Sequence, residues 1–166
     1  MVFGFNECVA IAGWTALIFM QWTRYSASSD RSWYTKRKTK SMPPAWVFPL
    51  AWTLLYSALV VMMFFFTQDT LADSWQIILG FTLFLIHIAF NKEWSVYFWD
   101  RANPTAAFYI LVFGMLPTSL ILYVPFIVDN QTIHYYIPVI MVTIYNAWLL
   151  YAAYLNYKWM EIEEKN

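Results

Sequence analysis

Five apolar stretches, each long enough to cross a lipid bilayer, divide this 166-residue chain, at residues 5–23, 45–66, 75–94, 106–128 and 135–159. About 20 apolar residues suffice for a helix to cross the hydrocarbon. Backbone amides in lipid must pair within their own segment, so each stretch is predicted to be helical. The alternation of membrane-barrel strands is missing. Only 12% of the residues are charged and 61% are hydrophobic, against about 25% charged in soluble domains. The expected fold is an all-α membrane protein, a bundle of five transmembrane helices forming one domain over residues 1–166.

The charges fit five spans better than four or six. With five, all ten Lys and Arg residues fall on one side. They lie in the loop at 24–44, around Lys92 to Arg101, and in the tail from Lys158. The opposite side carries Glu7, Asp69, Asp73 and Asp129. The positive-inside rule then places the basic first loop and the C-terminus in the cytoplasm of a multi-pass protein. Orientation does not name the membrane: mitochondrial outer membrane, endomembrane and bacterial envelope all fit.

Net charge is zero, so no global field attracts nucleic acid. Arg31, Lys36, Arg37, Lys38 and Lys40 make the first loop polybasic, which suits anionic lipid headgroups. Cys8 is the one cysteine, which leaves no internal disulfide and no metal cluster to expect. A cleavable signal peptide is not expected, because the N-terminus lacks a basic region. The sequon Asn130-Gln131-Thr132 sits in a very short loop and is expected to stay unmodified.

Aromatic residues make up 22% of the chain, and interfacial belts do not account for those at span centres. In the second span Phe48, Trp52 and Tyr56 recur every four residues and share one face. Pro43 and Pro44 suit a helix start, and Pro49, inside the helix, is expected to bend it. The fifth span carries Tyr145, Trp148, Ala152, Leu155 and Trp159 at helical spacing, with Ala152 as a gap between large neighbours. Asn156 is expected to bond across helices. His87 and Asn91 lie one turn apart on the third span. Ordinary packing and interhelical hydrogen bonds explain these residues, and so does a flat pocket for a ring system. His87 fits a structural hydrogen bond better than haem ligation. Catalytic triads, carboxylate pairs and phosphate-binding glycine loops are missing from the sequence. An aromatic cavity with Asn91 and a basic loop above it suits a flat, apolar ligand with an acidic edge.

The run PPAWVFPLAWTLLY at 43–56 closely resembles the signature of the TspO/MBR family, the translocator proteins once called peripheral-type benzodiazepine receptors. Trp33-Tyr34, the set Asn91, Trp94 and Ser95, and WLLYAAYLN at 148–156 resemble further motifs of that family, in the same order. The resemblance runs from Trp33 to about Trp159. Lys40-Ser41 stands where the family has Lys-Pro, and Lys92-Glu93 replaces residues that are normally apolar.

The resemblance implies a five-helix bundle around a pocket for porphyrins such as protoporphyrin IX and haem, for benzodiazepine-type and isoquinoline compounds, or for sterol. Carried over by position, the pocket comprises Tyr34, Pro43, Phe48, Trp52, Asn91, Trp94, Ser95, Trp148, Ala152 and Leu155. No cofactor is required, and porphyrin or haem enters as ligand. Trp52 and Trp148 match the pair linked to light- and oxygen-dependent porphyrin breakdown. Leu150, Tyr154 and Lys158 draw a sterol-contact pattern. Three readings follow: a tetrapyrrole receptor or carrier, a porphyrin-degrading enzyme, and a scaffold that recruits lipid or a partner. Ala12 and Ala16 form a small-residue step that suits either a homodimer or contact within one chain.

Overall fold

The computed structural model describes residues 12–19, 32–38, 40, 42–68, 74–128 and 133–163. Seven helices occur among them. Residues 12–19 form α1, and α2 is Ser32–Arg37. Next come α3, Val47–Gln68, and α4, Ser74–Ser95, which runs on as a π turn, Val96–Asp100. Helix α5, Pro104–Ile110, passes through a second π turn, Leu111–Met115, into α6, Leu116–Val128. The last helix, α7, is Ile133–Glu163. The rest of the first predicted span, Cys8 and the sequon at 130–132 lie outside the described residues.

The fold is an all-helical membrane protein with long apolar helices. Pro104–Leu122 and Val139–Ile162 are long and apolar enough to cross a bilayer, and Val47–Val61 is a shorter apolar stretch. Only 33% and 39% of the first two are buried, so most of their apolar surface points away from the protein. On α3, Phe48, Trp52, Leu55, Tyr56 and Leu59 are buried while Leu50, Leu54 and Val61 face outward. On α7, Val142, Tyr145, Leu149 and Ala152 are inside and Ile140, Ile144, Leu150 and Tyr151 outside. A helix apolar on all sides needs lipid against its outer face.

Helix α7 is the hub. It packs against α3, α5 and α6, while α4 packs against α5 and α6. At about 1.5 Å per residue, its 31 residues span about 47 Å, longer than the roughly 30 Å hydrocarbon. Helix α1 is tied to α3 by Trp14 Nε1, which donates to Ser57 Oγ at 2.7 Å. Ala12 and Ala16 are exposed on α1.

Local chemistry explains the helix boundaries. The Val47 and Phe48 amides donate to the Pro44 and Ala45 carbonyls at 3.0 and 3.3 Å, so the chain enters α3 through a tight turn. Pro49, expected inside the helix, sits close to its start. It lies in the first turn of α3, where amides lack an intrahelical acceptor anyway. The Ala45 carbonyl, four residues before it, accepts from the Phe48 amide. Between α4 and α5 the Arg101 amide donates to Val96 O at 3.0 Å and the Asn103 amide to Tyr97 O at 2.9 Å. Ala102 has φ 49° there, in the left-handed region. Asn103 Oδ1 then accepts from the Ala106 amide at 2.9 Å, and Pro104 opens the helix, an N-cap followed by proline.

Candidate functional site

One basic segment turns out to be structured. Within the predicted loop 24–44, α2 buries Tyr34, while Lys36 and Arg37 on it and Lys38 and Lys40 after it are exposed. The Tyr34 hydroxyl donates to the Pro43 carbonyl, which pins α2 over the start of α3. Burial drives the Tyr34 phenol well above the usual tyrosine range, and the nearby Tyr151 adds to the shift.

From Tyr34 a continuous run of rings passes into the bundle. Its centroid lies 4.8 Å from that of Trp159, 5.4 Å from Trp99 and 5.8 Å from Phe48. Trp33 reaches Phe98 at 5.1 Å. Phe98 stacks on Trp94 at 5.0 Å with an interplanar angle of 11°. Trp94 lies 5.6 Å from Trp52, and Trp52 lies 6.4 Å from Tyr145. Phe48 connects the run to Trp148 at 6.3 Å. Four elements contribute: α2, α3, α4 with its π turn, and α7.

Below the rings lies a chain of hydrogen bonds between helices. Thr118 Oγ1 lies 2.6 Å from Gly114 O and 3.1 Å from Met115 O, so its single proton goes to the backbone of the second π turn. The His87 Nδ1–H must then donate to Thr118 Oγ1, at 2.7 Å. A neutral imidazole has one donor and one acceptor, so Nε2 accepts from the Tyr145 hydroxyl at 2.5 Å. Asn91 Nδ2 donates to Tyr145 Oη at 3.2 Å and to His87 O at 3.0 Å. His87 thus makes structural hydrogen bonds. Ser119 Oγ lies 2.6 Å from Asn146 Oδ1, a second link between α6 and α7.

Other buried polar atoms have no hydrogen-bond partner among the described residues. They are Nε1 of Trp33, Trp52, Trp94, Trp148 and Trp159, with Ser95 Oγ and Asn156 Oδ1. Buried polar groups are ordinarily paired, and each unpaired one costs about 1–3 kcal/mol. Asn156 departs from expectation here: its Nδ2 donates to Ala152 O in its own helix at 2.7 Å. Among the described residues no three His, Cys, Asp or Glu side chains converge to hold a metal.

Tyr34, Phe48, Trp52, Asn91, Trp94, Ser95, Ala152 and Leu155 are all buried, and Pro43 and Trp148 are half-buried. Leu150 and Tyr154 lie elsewhere, exposed on the outer face of α7. Lys158 Nζ there bonds Glu161 Oε2 at 2.8 Å. Sequence reasoning ended the third span at residue 94 and so missed Phe98 and Trp99. Continuing the helix by one turn from Trp94 places Phe98 on the same face. It also left Tyr145 and Trp159 out of the site, although both had been read at helical spacing.

Aromatic walls with few polar groups are the make-up of a ligand pocket. Fold and site together define an all-helical membrane protein with a buried aromatic cluster of that character. The sequence pattern of the TspO/MBR family matches residues 8–161, and the chain belongs to this family. It is similar to the tryptophan-rich protein TspO of Archaeoglobus fulgidus, 26% identical over 134 residues, which cover 80% of this chain and 81% of that one. It is also similar to the tryptophan-rich protein TspO of Chlorobaculum tepidum, 27% identical over 136 residues, covering 79% and 80%.

Proposed function

We propose that this protein is a membrane receptor or carrier for a planar, largely apolar ligand of the tetrapyrrole class, protoporphyrin IX or haem. In this reading the whole chain is one domain of five transmembrane helices. The first loop and the C-terminus face the cytoplasm, and the ligand enters beneath α2. Tyr34, Pro43, Phe48, Trp52, Asn91, Trp94, Ser95, Trp148, Ala152 and Leu155 contact it. The observation that carries the reading is the ring cluster itself, joined from α2 to α7 and holding five indole N–H groups without a partner among the described residues. Indole faces stack on a flat conjugated ring, and unpaired N–H and hydroxyl donors suit the carboxylates at its edge. Titration of the chain in detergent with protoporphyrin IX should quench tryptophan fluorescence saturably. Trp148→Ala and Asn91→Ala should each weaken binding about tenfold, about 1.4 kcal/mol. Unchanged affinity in both variants would remove the site.

A second reading is light- and oxygen-dependent porphyrin breakdown using Trp52 and Trp148. What favours it is the depth of Trp52, which is buried against Trp94 and Tyr145. It requires product formation in light that is lost in Trp52→Phe. Bleaching at the same rate without protein would end it. Sterol, if bound, would lie on the outer face of α7 at Leu150, Tyr154 and Lys158, in contact with lipid. A homodimer would use the exposed Ala12 and Ala16. In the scaffold reading the exposed basic residues of α2 and its flank recruit anionic lipid, and neutralising them would abolish function without changing porphyrin affinity.

A further inference from the structure

The Tyr145–His87 pair is a fully buried polar contact between α7 and α4. Tyr145 is 1% exposed and His87 0%. The phenolic oxygen lies 2.5 Å from His87 Nε2 and 3.4 Å from Asn91 Oδ1, and with the ring proton assigned to Nδ1 the nearer nitrogen accepts the phenol's proton. The opposite nitrogen is held as a donor by Thr118. The pair is therefore set with a proton on oxygen and a lone pair facing it on Nε2. On the other side of Tyr145 stands Trp52, with ring centroids 6.4 Å apart. Trp52 Nε1 is buried without a partner among the described residues.

We propose that Tyr145 and His87 form a proton-coupled redox pair that takes an oxidising equivalent from Trp52. The oxidant is a one-electron acceptor of the photoexcited-dye class, which removes one electron from the indole and is itself reduced by one electron. An indole radical cation is trapped as the neutral radical when a base accepts its N–H proton. Trp52 has no such acceptor among the described residues, so the hole stays mobile. Tyr145 then gives one electron to Trp52, restoring the indole. Its O–H bond breaks and an N–H bond forms at His87 Nε2, leaving a neutral phenoxyl radical beside an imidazolium. A phenol that loses its proton as it is oxidised surrenders an electron more readily than indole does. In a dry interior that route exists only where a base is already hydrogen-bonded, since a lone charged phenol radical is costly there. The half-buried Trp33 and Trp148 give an external oxidant entry to the run of rings.

The test supplies the oxidant without any pocket ligand, so its outcome is separate from that of the binding experiment. The full chain in lipid nanodiscs is flashed with tris(bipyridine)ruthenium and persulfate. Radicals are followed by transient absorption and electron paramagnetic resonance. Subtracting the spectrum of Tyr145→Phe isolates the Tyr145 radical from those of surface tyrosines. That difference signal should be present in the native chain and lost in Trp52→Phe. It should be lost too in His87→Gln, whose amide can hold the phenol but cannot take its proton. The tryptophan radical should persist longer in His87→Gln, and its decay in the native chain should slow in deuterium oxide. A null difference spectrum, or a Tyr145 radical undiminished in His87→Gln, overturns the proposal. The isotope measurement needs no variant, and its absence in the native chain overturns the proposal equally.

Discussion

The Tyr145 hydroxyl and the His87 imidazole meet 2.5 Å apart and join α7 to α4, two helices separated by 58 positions at this point in the sequence. Through Thr118 the same imidazole reaches α6. Three helices are therefore held in one rotational setting, and Asn91, one turn from His87, is positioned by it.

Removing the phenolic oxygen should expose that dependence. Tyr145→Phe leaves His87 Nε2 buried without a donor and should cost about 1–3 kcal/mol. Thermal unfolding in detergent micelles measures it. A midpoint equal to the native one would mean that the bond does not form in the folded chain.

Gly114 sits where the second π turn meets α4. A Cβ built there would lie 2.5–2.8 Å from the ring atoms of Phe90. Gly114→Ala must push the ring aside or part the helices, and overpacking of this kind costs about 1–3 kcal/mol. Because Thr118 bonds the Gly114 carbonyl, the change should also disturb the His87 chain. Porphyrin affinity and unfolding midpoint should fall together.

Ala102 is a non-glycine residue at φ 49°, where a Cβ is unfavourable by about 1 kcal/mol. Ala102→Gly relieves this strain but adds freedom to the unfolded chain. The net expectation is a gain of about 0.5 kcal/mol, read as a raised unfolding midpoint with unchanged ligand affinity.

Tyr34 makes an alkaline prediction. Its folded phenol stays protonated well above the ordinary tyrosine range, while in the unfolded chain it ionises near pH 10. The folded state therefore holds the proton more tightly. Stability is full below about pH 10 and declines as pH rises beyond it. Tyr34→Phe should make the fall in unfolding midpoint above that pH shallower. Parallel native and variant curves would show that Tyr34 is not buried as described.

Hydropathy along the chain was enough to predict helices at 45–66 and 135–159, where the structure has Val47–Gln68 and Ile133–Glu163. Helix spacing was enough to put Phe48, Trp52, Tyr145 and Trp159 on shared faces, because both signals are local and survive without a fold. The motif residues on α3, α4 and α7 were recognisable for the same reason. The helix α2 was hidden inside a basic segment, since its stability comes from Tyr34 docking on rings contributed by distant elements. Phe98 and Trp99 continue the aromatic face past residue 94, but the charged Lys92-Glu93 interrupts the apolar run there, and nothing in the sequence marks the π turn itself.

Which of the plain aliphatic residues on each helix turn inward was beyond reach of hydropathy. In lipid the outer surface is as apolar as the core, so Leu50 and Leu55 look alike until neighbours are placed. Only tertiary packing set the relative rotation of α4, α6 and α7. That rotation brings His87 to Tyr145, Thr118 to His87 and Trp94 and Tyr145 to Trp52.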